Sequence, residues 1–236
     1  MKLILINLGV FLSIGVFAQK KSKSENPIVK TEITSTIYKN ALKYGDIQTA
    51  ISATHQLIAA EGETSTYKDS LALLYFNANN ALSCHLLCKE LLVTKPSDAT
   101  LLELNAVSLK SLGATKDAIE AYELLFAVTQ SRLHGYELAQ LQFSISRLAE
   151  AMLTINQTFA KTKELEAKIP FNIDKTKKQE VPLNAALLNL KGLVTYELKD
   201  EKGATAAFDE AISIMPDFEA ALQNKKAMEA LKDTKK

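Results

Sequence analysis

The stretch SCHLLCKELLVTKP, residues 83–96, holds both cysteines of the chain with a histidine between them. Thiols and an imidazole this close together could bind a metal ion or carry out redox chemistry. Cys84 and Cys88 lie four residues apart and would share one face of a helix, whereas His85 would point elsewhere. Two ligands fall short of the four that a structural zinc site needs. A disulfide is also disfavoured, because Cβ atoms at this spacing are about 5–6 Å apart on a regular helix, wider than the usual ~3.5–4.5 Å.

Other arrangements that could support catalysis are scarce. The three histidines, His55, His85 and His134, share no ligand spacing. The sequence has no Gly-x-Ser-x-Gly elbow, no phosphate-binding glycine loop and no His-Glu-x-x-His pair. We therefore predict no catalytic residue, no cofactor and no metal, and a protein that is not an enzyme. An enzyme with an unrecognised site stays open as an alternative.

Composition and charge narrow the class further. The 236 residues include 28 basic and 27 acidic side chains, so no strong field would attract nucleic acid or a membrane surface. Arg132 and Arg147 are the only arginines, which weakens a phosphate-reading role. With 8 glycines, 5 prolines and no tryptophan, the composition favours helix over sheet.

The N-terminus has the three parts of a secretory signal peptide. Lys2 precedes an uncharged, largely apolar run at residues 3–17, and Val16 and Ala18 supply small residues before a cleavage site. We predict cleavage of residues 1–18 after Ala18, a flexible segment at 19–30, and export to the periplasm of a Gram-negative bacterium. The alternative is an uncleaved membrane anchor, although this run is shorter than the ~20 residues of a spanning helix.

The clearest internal pattern is NLKGLVTYELKDEKGATAAFDEAISIMPD, near the C-terminus. It reads as two amphipathic helices with small residues where they cross, at Gly192, Ala204 and Ala211, a large Phe208 between them, and Pro216 closing the unit. This spacing resembles the tetratricopeptide repeat, a 34-residue helix–turn–helix with small residues at positions 8, 20 and 27, an aromatic at 24 and proline at 32.

The same register extends over the rest of the chain, with units starting at residues 31, 65, 99, 132 and 185. Position 20 is small in every unit: Ala50, Cys84, Ala118, Ala151 and Ala204. In this register Cys84 and Cys88 occupy positions 20 and 24 of the second unit, which predicts a packing role for them. The resemblance implies an all-α fold, a right-handed superhelix of about five units with a C-terminal capping helix.

The predicted organisation has units 1–4 at 31–165, an insertion or linker at 166–184, unit 5 at 185–218, and the capping helix with a tail at 219–236. Pro170 should stop the preceding helix, Pro182 suits the first turn of the next one, and DKTKK between them predicts a solvated tip. A tolerated surface insertion is the favoured reading of this segment, and a functional one is the alternative.

The family resemblance implies a protein or peptide partner, bound along the concave surface that the first helix of each unit lines. The family's groove positions 2, 5, 9, 12 and 13 fall here on Asp69, Leu73, Phe76, Asn77, Glu103, Val107, Lys110, Tyr136, Gln140, Phe143, Asn189, Leu193 and Tyr196. Phe76, Phe143 and Tyr196 share position 12 and predict an aromatic row for an extended or helical segment. These three rings could instead pack under neighbouring helices.

We therefore expect a non-enzymatic interaction module or scaffold of the cell envelope. A subunit of an envelope secretion or assembly complex is the alternative within the same class.

Overall fold

The computed structural model describes residues 27–161, 167–173 and 177–233, with side chains described between 30 and 230. The predicted signal peptide and the last three residues lie outside these ranges. Five helix pairs follow one another in the chain. The first helices are α1 (Pro27–Tyr44), α3 (Tyr67–Asn77), α5 (Ala99–Ser111), α7 (Arg132–Ser144) and α9 (Leu183–Glu197). The second helices are α2 (Ile47–Glu61), α4 (Ala81–Leu92), α6 (Thr115–Thr129), α8 (Leu148–Lys161) and α10 (Glu201–Ile214), and α11 (Glu219–Asp233) follows them.

The buried positions confirm the predicted register. All five residues at position 20 are 0% exposed, because each lies where the two helices of its unit cross. Positions 24 and 27 are also buried in every unit, whether they carry Phe208, Tyr122 or Thr54. A single spacing therefore places the core of all five units.

The turn inside each unit is also repeated. The residue at position 15 has a positive φ between 54° and 72° in every unit, although only two of the five are glycine: Gly45, Asn79, Gly113, Ser146 and Lys199. The next residue's N–H donates to the carbonyl at position 11 in each case, over 2.9–3.1 Å. This is the left-handed C-cap that lets a helix end and its partner begin within two residues.

Capping of the second helix varies between the units. Asp46, Asn80 and Asp200 at position 16 each accept a hydrogen bond from the backbone N–H three residues on. Ala114 occupies the same position in the third unit and has no such oxygen.

We expect Ala114→Asp to raise the free energy of unfolding by about 1 kcal/mol, because it supplies an N-cap acceptor and a negative charge at the start of α6. Urea unfolding followed by circular dichroism measures the change. Ala114→Lys, a longer side chain with no acceptor, is the control and should give no gain. Equal stability of the two variants would contradict this prediction.

The predicted insertion at 166–184 contains secondary structure in its described residues, 167–173 and 177–184. Its strands β1 (Lys168–Asn172) and β2 (Lys178–Pro182) form an antiparallel hairpin in which Ile169 pairs with Val181 and Phe171 with Gln179. Pro170 lies inside β1, paired with Glu180, and so does not mark a helix end. Residues 27–30, predicted within a flexible segment, are the first turn of α1.

The hairpin is packed onto the fifth unit. Ile169 and Phe171 join the largest core cluster together with the fully buried Val181. The ring of Phe171 meets the buried ring of Phe218 edge to face, with centroids 5.2 Å apart. Gln179 donates to the carbonyl of Asp217 over 2.6 Å. The hairpin therefore ties the junction between units 4 and 5 to the start of α11.

Candidate functional site

The candidate site is the face formed by α1, α3 and α5, which we call the first-helix face. Its largest hollow, about 710 Å³, lies between α1 and α3, with Leu57 and Ala60 of α2 also lining it. The rest of its lining is polar or aromatic: Thr31, Glu32, Ser35, Thr36, Lys39 and Tyr67. Such a hollow is of the size that small-molecule and peptide side-chain sites have in proteins.

Tyr38 distinguishes α1 from the first helices of the later units. It stands at position 8, where the later units have alanine or glycine, and its ring meets Tyr67 edge to face with centroids 5.7 Å apart. Helices approach closely only where the crossing residue is small. The two tyrosine rings therefore lie between α1 and α3, beside the hollow that Tyr67 lines.

The sequence prediction missed this part of the site. Glu32, Ser35 and Lys39 line the hollow, and they are positions 2, 5 and 9 of the first unit in the predicted register. These are the positions used to nominate groove residues in the later units. Extending the register to unit 1 would have found them.

Two smaller hollows continue along the same face. One of about 330 Å³ lies between α3 and α5 and is lined by the predicted Asp69 and Leu73. The other, about 190 Å³, is lined by the predicted Phe76 and Val107. Leu73 is 47% exposed, which makes it a large apolar side chain open to a partner on this face.

The charged residues nominated on this face pair with side chains of neighbouring elements. Lys95 lies 2.5 Å from Asp69, and Lys110 pairs with Glu137 of the next unit. Glu103 lies 3.9 Å from the Nε2 atom of His134. Each pair is partly exposed, so it contributes little to stability but balances the charge of the face. Asn77 and Gln140 are also exposed.

The C-terminal part of the predicted groove needs correction. Tyr136 and Asn189 are only 5% and 3% exposed, so they cannot present their side chains to a partner as the helices are packed here. Asn189 accepts a hydrogen bond from Asn224 of α11 over 2.9 Å. Leu193 and Tyr196 pack against a cluster that contains Met228 of the same helix. The capping helix therefore covers the nominated residues of unit 5.

The predicted aromatic row is not one surface. Phe76, Phe143 and Tyr196 are half-buried, and each packs against a different core cluster. Lys110 occupies the same repeat position in unit 3 and separates Phe76 from the other two rings. Packing beneath neighbouring helices, the alternative raised by the sequence, accounts for most of their surface.

The cysteine pair lies in the core, as the register predicts. Cys84 and Cys88 are free and fully buried, and their Sγ atoms are 3.9 Å apart. The hydrogen bond with Cys84, together with burial, raises the pKa of the Cys88 thiol. Burial keeps both sulfur atoms away from solvent, as expected for cysteines that act as small core residues.

The three histidines take part in separate local contacts. His55 is hydrogen-bonded to Tyr75, His85 to Asn105 and His134 to Thr129, each over 2.8 Å. In the described part of the chain, no three His, Cys, Asp or Glu side chains converge as a metal site would require. The described helices also include none with the length and apolar character needed to cross a bilayer.

Solved structures with the same architecture are numerous. A crystal structure of MamA protein superposes with a TM-score of 0.60 at 15% identity, over 78% of this chain and 90% of that one. MamA from Desulfovibrio magneticus RS-1 superposes with a TM-score of 0.58 at 12% identity, over 80% of this chain and 97% of that one. YrrB, described as a TPR protein with an unusual peptide-binding site, superposes with a TM-score of 0.62 at 14% identity, over 80% of this chain and 88% of YrrB. No protein-family model matches the sequence, and comparison with curated proteins gives no match.

These likenesses and the repeated register agree on one fold, the all-α solenoid of tetratricopeptide-repeat proteins. In the described residues it has five helix–turn–helix units, with a hairpin before the fifth unit and a capping helix after it.

Proposed function

We propose that the protein is a non-enzymatic interaction module of the bacterial cell envelope, which binds a segment of a partner protein on its first-helix face. The observation that carries this proposal is the series of three neighbouring hollows along α1, α3 and α5, of about 710, 330 and 190 Å³. An extended or helical segment would insert side chains into successive hollows, as peptides do in other grooves between helices. Repeat folds offer such surfaces because each unit adds the same groove position beside the last.

The chemistry of the face suits a partner segment that is uncharged or that carries both acidic and basic residues. Leu73 is exposed in the α3–α5 hollow, and Ser35 and Thr36 supply hydroxyl groups in the α1–α3 hollow. Asp69 and Lys110 already have partners of opposite charge. The face therefore has little net charge with which to favour an acidic or a basic partner segment. Apolar contact at Leu73 should therefore provide much of the affinity.

The proposed compartment is the periplasm, and it rests on the N-terminal signal. Lys2, the apolar run at 3–17 and Ala18 are the support for export and cleavage. Sequencing the N-terminus of the protein recovered from periplasm tests this. Gln19 as the first residue supports the proposal, and Met1 contradicts it.

Site-specific photo-crosslinking in the envelope fraction tests the binding face. A photoreactive residue at Leu73 should capture one or a few defined proteins, because this exposed side chain lines the α3–α5 hollow, the middle one of the face. The matched control is Leu124 of α6, which is apolar and 61% exposed but lies on a second helix. Leu73→Arg should weaken the captured complex about tenfold or more, as expected for an interface anchor.

Two outcomes would count against this function. One is equal capture from Leu73 and Leu124, which would indicate non-specific contact. The other is a captured partner whose affinity is unchanged by Leu73→Arg.

A further inference from the structure

The N-terminal end of the solenoid exposes a stripe of large apolar side chains on α1. Ile33, Ile37 and Tyr44 are 52%, 44% and 75% exposed. Their spacing of four and seven residues places them on one side of the helix. We call this stripe the end face. Beside it a hollow of about 320 Å³ lies between α1 and α2, with Lys30 and Gln56 in its lining.

The later units show what normally covers these positions. Ile33 and Ile37 are positions 3 and 7 of their unit. At position 3, Leu101 packs with Cys84 and Cys88 of α4, the second helix of the preceding unit. At position 7, Leu138 packs with α6. The polar residues at these positions follow the same rule, since Asn105 is hydrogen-bonded to His85 of α4. The end face therefore has the chemistry of a surface made to receive an α-helix.

The processed chain contains no segment suited to this role at its own N-terminus. With cleavage after Ala18, the residues left before α1 are QKKSKSEN, which are all polar. They have no apolar side chain to bury against Ile33 and Ile37.

The charges around the end face argue against a second copy. Lys30 is one turn before Ile33, and Lys43 lies with its Nζ atom 5.2 Å from the ring centroid of Tyr44. Two end faces meeting about a two-fold axis would bring these lysines of one copy towards those of the other. The acidic residue Glu32 points instead to the α1–α3 hollow. The opposite end offers a poor match, because the exposed side chains described on α11 include Gln223, Lys226 and Glu229 and a single large apolar residue, Leu222.

We propose that the end face binds an amphipathic α-helix of another protein, with acidic residues beside its apolar stripe. This helix occupies the place that the second helix of a preceding unit would have. Its apolar stripe covers Ile33 and Ile37, and its carboxylates lie near Lys30 and Lys43. The site is separate from the first-helix face and does not depend on it.

The chain itself supplies a probe with this chemistry. The segment of α6, TKDAIEAYELLFAVT (Thr115–Thr129), is a second helix that carries Asp117, Glu120 and Glu123 against a single lysine. In the fold its apolar side packs against Leu138 at position 7 of the next unit. A fluorescein-labelled peptide of this sequence, titrated with the processed protein purified after export, should bind and raise its fluorescence anisotropy.

Matched variants locate the binding. Ile33→Lys with Ile37→Lys should weaken peptide binding at least about tenfold, because both apolar contacts are lost. Leu82→Lys with Leu86→Lys changes two apolar residues of α4 that are each 56% exposed and also lie four residues apart, and it should leave binding unchanged. Lys30→Glu with Lys43→Glu should weaken binding and reduce its dependence on salt. Circular dichroism checks that each variant keeps its helix content.

Several results would overturn the proposal. One is that the peptide does not bind. Another is that the end-face and control variants lose the same amount of peptide affinity. A third is that reversing the charge of residues 30 and 43 leaves the peptide affinity unchanged. Sedimentation provides a further test: a dimer that Ile33→Lys with Ile37→Lys converts to monomer would make a second copy the occupant. Failure here leaves the Leu73 crosslinking result untouched, so the two proposals can fail separately.

Discussion

Phe218→Ala should lower the free energy of unfolding by about 3–5 kcal/mol, the loss typical of removing a buried phenylalanine. Phe218 is fully buried in the largest core cluster. It comes directly before α11 and touches Phe171 of the hairpin. Alanine would leave a cavity at the one place where hairpin, fifth unit and capping helix all meet.

The loss should be concentrated at the C-terminal end. In a solenoid each unit is stabilised mainly by its neighbours, so a defect at one end releases the elements there first. We expect the backbone amides of β1, β2 and α11 to exchange faster in Phe218→Ala, while those of α3 to α6 keep their protection. Hydrogen exchange read by mass spectrometry, together with urea unfolding, measures both effects.

Leu222→Ala is the control for this prediction. Leu222 is apolar, lies in the first turn of α11 and is 40% exposed, so its truncation should cost less than about 1 kcal/mol. Combining Phe218→Ala with Phe171→Ala measures the ring contact itself, with an expected coupling of about 0.5–1.5 kcal/mol. Unchanged protection of the hairpin in Phe218→Ala would show that it is held by other contacts.

The repeat register could be predicted because its cause is local and steric. Two helices joined by a tight turn cross at a fixed distance from that turn, so Ala50, Ala118 and Ala204 must be small wherever they stand in the chain. The turn itself was less visible. Gly45 and Gly113 signal a positive φ, but Asn79, Ser146 and Lys199 adopt it without glycine, since the surrounding helix pair imposes the geometry.

The hairpin was missed because its signals are ambiguous in sequence. KIPFN and KQEVP alternate in burial, but five residues are too few to separate strand from loop, and Pro170 argues against a ladder. What fixes the strands is tertiary contact. Val181 and Phe171 pack on a core supplied by distant residues such as Phe218, and nothing in the segment itself encodes that partner.

The nominated groove positions differ most from the structure at the two ends of the candidate face. Positions carried over from the family resemblance assume that every unit is equally open. At the C-terminal end α11 covers Asn189 and Tyr196, and at the N-terminal end Tyr38 is associated with the largest hollow. Terminal units differ from internal ones because they lack one neighbour, and a uniform register cannot anticipate this.

Gly192→Leu should lower the free energy of unfolding by about 3 kcal/mol or more through overpacking. A Cβ atom added at Gly192 would lie 2.4–2.8 Å from three ring atoms of Phe208, closer than any real contact. The ring cannot retreat, because Phe208 is buried under Ala204 and Met228. Glycine is therefore needed here for space, although a helix interior would otherwise favour a larger residue. Ala206→Leu, which adds bulk on the exposed side of the partner helix α10, should change stability by less than about 0.5 kcal/mol.

A smaller residue at the facing position tests this steric cause directly. Phe208→Ala alone should cost about 3–5 kcal/mol by leaving a cavity. In Gly192→Leu with Phe208→Ala the new leucine fills part of that cavity, so the double variant should be more stable than the sum of the two losses predicts. Urea unfolding of all four proteins gives the coupling energy. Additive losses would mean that the clash with the Phe208 ring is not the cause, and the size rule at position 8 would then fail in the unit where the repeat pattern is clearest.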